Sequence, residues 1–306
     1  MPYEELTIPY LRNKQYPSSL GQLSEDYSGN NYTAYLTNYT SEGLKINALL
    51  TKPTGSMPKG GWSAIVFVHG YLTPASYETD GQPYRSYVDY LADNGFVVLK
   101  IDLRGHGNSE GQPGGGYFGA DYVTDTLSAY TALSNVDFVN PKKIGLWGHS
   151  MAGNTVLRSF VTKPNIPAVV IWAGAVYSYL DQRKYGIHDN SYRPAQPSVT
   201  GRPRNYSRLI FDKVGSPSAQ SVFWSTMAPT SFLNDLRGAI EIHHAVDDET
   251  VNIGYSRDLV SLLDKTKVVH EYYEYPSGGH NIAGVSFDPA MSRTVEFFKK
   301  YLEGKY

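Results

Sequence analysis

The chain contains no cysteine. That excludes disulfides, a thiolate nucleophile and any cysteine-ligated metal, and it chooses no compartment. Long apolar runs are missing too. The longest, Ala168 to Val176, is nine residues and is interrupted by Gly174, far short of the roughly 20 residues a membrane-spanning helix needs. Neither charge sign dominates, with 27 basic and 29 acidic residues, so neither a nucleic acid nor an anionic membrane is expected as a partner. The first thirty residues lack the basic and apolar regions of a secretion signal. A leader removed beforehand would leave the same sequence, so localisation is left unassigned.

What is present is length and aromatic surface. At 306 residues the chain is long enough for one large α/β domain, or for a domain with a sizeable insertion. Its 26 tyrosines supply large rings with a polar tip, which serve equally as half-buried packing and as binding surface.

Residues 1–30, with Pro2, Pro9 and Pro17, read as an irregular N-terminal arm. Tyr32 to Leu36 and Leu44 to Leu50 are strand-like runs around Ser41-Glu42-Gly43, which predicts a hairpin. Beyond Pro58-Lys59-Gly60-Gly61 the texture changes to short continuous apolar runs alternating with helix-like segments. Strands are predicted at Ala64–Val68, Phe96–Ile101, Lys143–Trp147, Ala168–Trp172, Ala239–His243 and Val268–Tyr275. Helices are predicted at Tyr84–Asn94, Ala120–Leu133, Asn154–Val161 and Pro289–Leu302. Continuous apolar strands alternating with helices mark a mainly parallel sheet covered on both faces. Between Val176 and Leu236 about sixty residues break the rhythm with many aromatics, too many for a bare loop. The expected organisation is therefore an α/β core over 31–175 and 233–306, with a cap insertion over 176–232.

Gly148-His149-Ser150-Met151-Ala152-Gly153 lies between a predicted strand and a predicted helix. A serine flanked by very small residues at such a turn is presented as a nucleophile above the sheet. A base and an acid should then follow in the order Ser, Asp or Glu, His. His280, in Ser277-Gly278-Gly279-His280-Asn281, sits on a glycine-rich loop after the last strand and is the candidate base. His69, His106, His149, His188, His243 and His244 are assigned structural roles, and His270 falls inside a strand-like run. The acid is Asp247 or Asp248, both just past a strand end, where a carboxylate can fix the histidine tautomer. Two backbone N–H groups should hold the developing oxyanion, that of Met151 and that of Tyr71 in Val68-His69-Gly70-Tyr71.

Other patterns carry no chemistry. Asp102-Leu103-Arg104-Gly105-His106-Gly107-Asn108-Ser109 has neither a P-loop lysine nor Rossmann glycine spacing. His270-Glu271-Tyr272-Tyr273-Glu274 lacks the second histidine and the helix of a zinc motif. No metal and no cofactor are expected.

His69-Gly70-Tyr71, Asp102-x-Arg104-Gly105-x-Gly107-x-Ser109, Gly148-His149-Ser150, His243-His244-x-x-x-Asp248-x-x-Val251 and Gly279-His280 occur in that order. Together they resemble the α/β-hydrolases over about residues 44–303, with the cap as the variable part. The resemblance is to prolyl-oligopeptidase-like hydrolases and to feruloyl and related carboxylesterases. In that branch the acid falls four residues after the strand-end histidine and three before a valine, which implies Asp248. Ala152 and Ala245 stand where the family pattern has glycine, and neither change removes a chemical group. No propeller-sized segment precedes the hairpin, which argues against the oligopeptidase form.

The resemblance implies a serine carboxylesterase using Ser150, Asp248 and His280, with Tyr71 and Met151 as oxyanion donors. Its substrate would be a small-molecule or polymer-attached ester, aromatic (feruloyl-type) or bulky, and Tyr177 and Trp224 of the cap are expected to line the pocket. The alternative is a serine peptidase, an aminopeptidase or acylpeptide hydrolase, with Asp181, Asp189 or Asp212 anchoring the substrate amine. A non-catalytic scaffold is the third reading, and the complete Ser, Asp and His set argues against it.

Overall fold

The computed structural model describes residues 1–114, 116–187 and 206–304. Nine strands form one sheet: β1 (Ser24–Ser28), β2 (Tyr32–Ser41), β3 (Leu44–Pro53), β4 (Trp62–Val68), β5 (Val97–Ile101), β6 (Val139–His149), β7 (Ala168–Trp172), β8 (Ala239–Ala245) and β9 (His270–Tyr275). Their spatial order is β1-β2-β3-β5-β4-β6-β7-β8-β9. The first three strands and the β3–β5 contact are antiparallel, and every later pair is parallel. The hairpin turn at Glu42-Gly43 takes positive φ at both residues, 50° and 81°, which matches the twist of the flanking strands.

Nine α-helices accompany the sheet among the described residues: α1 (Ile8–Asn13), α2 (Arg85–Asp93), α3 (Asp121–Ser134), α4 (Met151–Thr162), α5 (Leu180–Tyr185), α6 (Tyr206–Val214), α7 (Val222–Met227), α8 (Gly254–Leu263) and α9 (Phe287–Glu303). Every residue of β4, β5, β7 and β8 is buried, because helices cover both faces. One apolar cluster lies beneath α3, α4, α7 and α8, and the other beneath α2 and α9. The chain thus has the mainly parallel, two-faced architecture its apolar runs predict. None of these helices is long and apolar enough to cross a membrane.

Register decides where chemistry can sit. Val68 pairs with Gly148, His149 with Trp172, Trp172 with His243 and Ala245 with Tyr275. The loops after β4, β6, β8 and β9 therefore leave the sheet along one common edge.

Residues 1–30 are more ordered than an irregular arm. Ile8 and Leu11 are fully buried, three apart on α1, with Pro9 in its first turn, a position that tolerates proline. Arg12 donates from Nε to the Val161 carbonyl at 2.9 Å and pairs with Asp235 at 2.8 Å. The buried guanidinium of Arg158, on α4, donates to the carbonyls of Gly119 and of Leu6. A six-residue helix is too short to show periodicity in sequence, and tertiary contacts supply its stability. Of the segment 176–232, the described part carries α5, α6 and α7, and residues 188–205, with His188 and Asp189, lie outside the described residues.

The loop after β5 is held by a buried ion pair. Arg104 reaches Asp125 of α3 from Nη2 at 2.7 Å and from Nε at 3.1 Å to both oxygens, and Asp125 also accepts from Ser41 Oγ at 2.7 Å. Removing one partner strands a buried charge, so Arg104→Ala should cost about 3–5 kcal/mol in chemical denaturation. A loss within error of zero would show that the pair contributes nothing.

Below the same loops His106 is buried, edge-on to His69 at 5.1 Å between ring centroids. Burial, only partly offset by the nearby carbonyls of Arg104, Leu103 and Leu72, pushes its pKa down to about 4. An unfolded histidine takes its proton near pH 6.5. As pH falls from there, the unfolded chain binds a proton that the folded chain refuses, and stability is lost. Compared with His106→Phe, the parent should lose about 2 kcal/mol between pH 6.5 and 4.5. A stability difference that stays constant across that range contradicts this assignment.

Candidate active site at the sheet edge

Ser150 stands between β6 and α4 with φ 56° and ψ −120°, a backbone state that costs a residue with a Cβ energy. Its N–H is tied to the Trp172 carbonyl at 2.9 Å. The small neighbours are required by space. A Cβ on Gly148 would lie 2.8 Å from the Ala152 oxygen and 2.9 Å from the Val156 methyls, and one on Gly153 would lie 2.6 Å from Gly174 Cα. Ala152, by contrast, buries its methyl in the core, so the departure from glycine there is accommodated.

Asp248 follows β8. Its Oδ1 accepts the N–H groups of Thr250 and Val251 at 2.8 and 2.9 Å. Its Oδ2 accepts His280 Nδ1–H at 2.8 Å and His244 Nε2–H at 3.2 Å. The His244 proton is shared with the Val251 carbonyl at 3.0 Å, and Ser256 Oγ donates to His244 Nδ1 at 2.7 Å. Burial alone would raise the Asp248 pKa, yet the bonds from His244 and His280 hold it well below the usual carboxylate range. It is therefore an anion at any working pH.

His280 occupies a short 3-10 turn, Gly279–Asn281, entered through Gly278 and Gly279 at φ 136° and 60°. With Nδ1–H given to Asp248, Nε2 is left as an acceptor, and it lies 2.9 Å from Ser150 Oγ. Asp247, the other acid candidate, touches no imidazole in the site. Its carboxylate accepts the backbone N–H groups of Gly278 and Gly279 at 3.2 and 2.8 Å. One carboxylate orients the ring and its neighbour fastens the loop that carries it.

Ser150, Asp248 and His280 are thus brought into one hydrogen-bonded line. Met151 opens α4, where amide N–H groups have no intrahelical partner. Tyr71 borders the same cavity as Ser150, on a loop whose Gly70 comes so close that an added Cβ would sit 3.1 Å from Ser150 Cβ. Beside Ser150 and His280 is a cavity of about 380 Å³ walled by Tyr71, Leu72, Pro83, Tyr84, Tyr87 and Thr250, at the lower end of small-ligand sites.

Tyr177 and Trp224 require correction. They are 1% and 2% exposed and do not line this cavity. The Tyr177 hydroxyl fills the space over Gly174, where a Cβ would be 2.3 Å from it. Trp224 donates Nε1–H to the Gly215 carbonyl at 2.9 Å and packs among Phe118, Tyr179, Phe211 and Phe223. Aromatic richness in the insertion reflects its own packing. His149 and His244, given structural roles from sequence, both touch the site, as do Tyr84, Tyr87 and Thr250. Only the Asp248-to-Val251 spacing hinted at this support, since Val251 bonds to Asp248 through its N–H and to His244 through its carbonyl.

Residues 63–189 match a family model described as serine aminopeptidase, S33. A polyketide transferase of Penicillium crustosum is 31% identical over 148 residues, 48% of this chain and 46% of that protein. The chain spans about half the length of the curated relatives it matches. Among solved structures, dipeptidyl peptidase 4 of Porphyromonas gingivalis superposes with TM-score 0.64 at 20% identity, over 89% of this chain and 36% of that one. Est1E of Butyrivibrio proteoclasticus with ferulic acid bound gives TM-score 0.62 at 19% identity, over 86% and 98%. Sheet order, strand–turn–helix placement of Ser150 and these likenesses lead to one conclusion: the chain has the α/β-hydrolase fold.

Proposed function

We propose that the chain is a serine hydrolase that cleaves carboxylic esters through an acyl-enzyme. The observation that carries this reading is the line Ser150 Oγ, His280 Nε2, His280 Nδ1, Asp248 Oδ2, with contacts of 2.9 and 2.8 Å. His280 takes the Ser150 proton as the oxygen attacks the carbonyl carbon, and Asp248 stabilises the imidazolium that forms. The N–H groups of Met151 and Tyr71 hold the tetrahedral oxyanion. His280 then passes its proton to the departing alcohol. Water, deprotonated by the same ring, attacks the Ser150 acyl group and releases the acid.

The cavity favours a neutral, flat group. Among the described residues its walls include three tyrosines and no carboxylate or amine, so an aromatic acyl or alcohol portion stacks there without desolvating a charge. The bound ferulic acid named for the Est1E structure fits that chemistry. The S33 aminopeptidase description favours the peptide reading instead, and that reading needs an acid to meet a substrate amine. Asp181 uses Oδ2 to accept the N–H groups of Tyr177 and Ser178 at 2.7 and 2.9 Å. Asp212 is exposed on α6. Of the three acid candidates Asp189 lies outside the described residues, and neither Asp181 nor Asp212 borders the cavity, which favours the ester reading.

A panel of p-nitrophenyl acetate, methyl ferulate and aminoacyl-p-nitroanilides separates the two. Both esters should turn over, the anilides should be at least about a hundredfold slower, and Ser150→Ala should fall to background. Asp248→Asn should lower kcat by about 10⁴-fold, the size of loss seen when a triad aspartate is replaced in other serine hydrolases. Asp247→Ala, which only loosens the loop, should cost about tenfold. Anilide turnover equal to ester turnover, or activity surviving in Ser150→Ala, refutes the ester reading.

A further inference from the structure

A second hydrogen-bonded line crosses the site behind the first, through residues the mechanism above does not use. The Gly70 N–H donates to Tyr84 Oη at 2.9 Å. Tyr84 Oη lies 2.6 Å from His149 Nδ1, and His149 Nε2 lies 2.8 Å from the carbonyl oxygen of His280. The direction of every bond is fixed by chemistry. A carbonyl can only accept, so the proton is on His149 Nε2. Nδ1 of the neutral ring must then accept, and the Tyr84 hydroxyl donates to it while a lone pair takes the Gly70 N–H. The line therefore joins the loop of one oxyanion donor to the backbone of the general base, passing through the residue that precedes the nucleophile.

The surroundings hold this line in one state. His149 is 2% exposed and its ring centroid lies 4.6 Å from that of His280. Burial first, and next the charge of His280, push the His149 pKa down to about 3, which keeps it neutral while His280 cycles. Burial pushes the Tyr84 phenol well up, so it stays a donor. Tyr84 itself takes φ 70°, a left-handed backbone that a bulky residue adopts only when its surroundings insist. Its ring is set edge-on against Phe67 and Trp147 at 5.6 and 6.2 Å. Tyr87, one turn along α2, donates to the Asn281 carbonyl at 2.7 Å, so the His280 loop is held just after the imidazole as well as at Gly278 and Gly279, where Asp247 holds it.

We propose that Tyr84 and His149 are positioning residues that lock the Gly70–Tyr71 loop to the His280 loop, so that oxyanion donor, nucleophile and base keep one mutual register. This rests on the serine hydrolase reading. The relay exchanges no proton with substrate: the Tyr84 ring borders the cavity, but its hydroxyl is committed to Gly70 and His149. Its effect is on geometry, and misplacement by about 1 Å can cost about a hundredfold in rate.

The test uses the whole chain with two readouts: the rate of Ser150 modification by a fluorophosphonate, and kcat and KM for p-nitrophenyl acetate. Tyr84→Phe and His149→Phe should each lower the labelling rate and kcat by about tenfold to a hundredfold, with KM changed less than about threefold. The double variant should be no slower than the slower single one, because both cut the same line. His149→Gln, which can offer a donor and an acceptor at similar positions, should recover most of the loss. Tyr84→Phe carries the test should His149→Phe fail to fold, as judged by thermal unfolding. Labelling of both single variants at the parent rate, or losses that multiply in the double variant, overturns the relay alone. A parent that is not labelled at all overturns the serine hydrolase reading and the relay with it.

Discussion

The backbone of Ser150 is the constraint on which the site depends. A non-glycine residue at φ 56° and ψ −120° is held there because the chain reverses from β6 into α4 with no slack. The reversal needs Gly148 against the α4 backbone and Gly153 against Gly174. It also needs the Ser150 N–H fastened to β7 through the Trp172 carbonyl. The stability to impose it comes from fully buried strands on either side, since a strained residue persists only when packing over-determines it. Every other element of the site is brought to this point: β8 delivers Asp248 and β9 delivers His280, each one loop past a strand end.

That dependence explains which parts of the site are legible in sequence. Ser150, Asp248 and His280 each belong to a short local pattern, because each sits on a turn whose shape demands particular neighbours. The sheet is legible for the same reason: β4, β5, β7 and β8 are buried on both faces and read as unbroken apolar runs. The cross-links are not legible. Tyr84 and His149 are 65 residues apart and His149 and His280 are 131 apart, and no spacing rule connects residues that meet only after the sheet has formed. Asp247 and Asp248 show the limit of composition most plainly. Adjacent and chemically identical, they diverge because one side chain faces the imidazole and the other the loop backbone.

Aromatics misled where charge patterning did not. Tyr177 and Trp224 read as pocket residues because they lie in an aromatic-rich insertion, yet both are buried in the core, Trp224 beside Phe118, Tyr179 and Phe211 and Tyr177 over Gly174. The tyrosines that do wall the cavity, Tyr71, Tyr84 and Tyr87, come from the loop after β4 and from the start of α2. Their signature is position at the common strand-end edge, which only topology reveals. The same reasoning covers α1. Ile8 and Leu11 are two apolar residues among prolines and polar ones, and their burial follows from α4 presenting a surface to receive them.

Arg158 gives that last contact a further meaning. Its guanidinium lies wholly inside the protein, its two terminal nitrogens donating to the carbonyls of Gly119 and Leu6. A cation sealed in the interior tolerates the loss of a partner poorly. Cleavage by a protease anywhere between Leu6 and β1 would therefore do more than shorten a tail. It would take one of two carbonyl partners from a buried cation two helical turns from Ser150, on the helix that opens at Met151, and the disturbance would reach the strand-end edge from within.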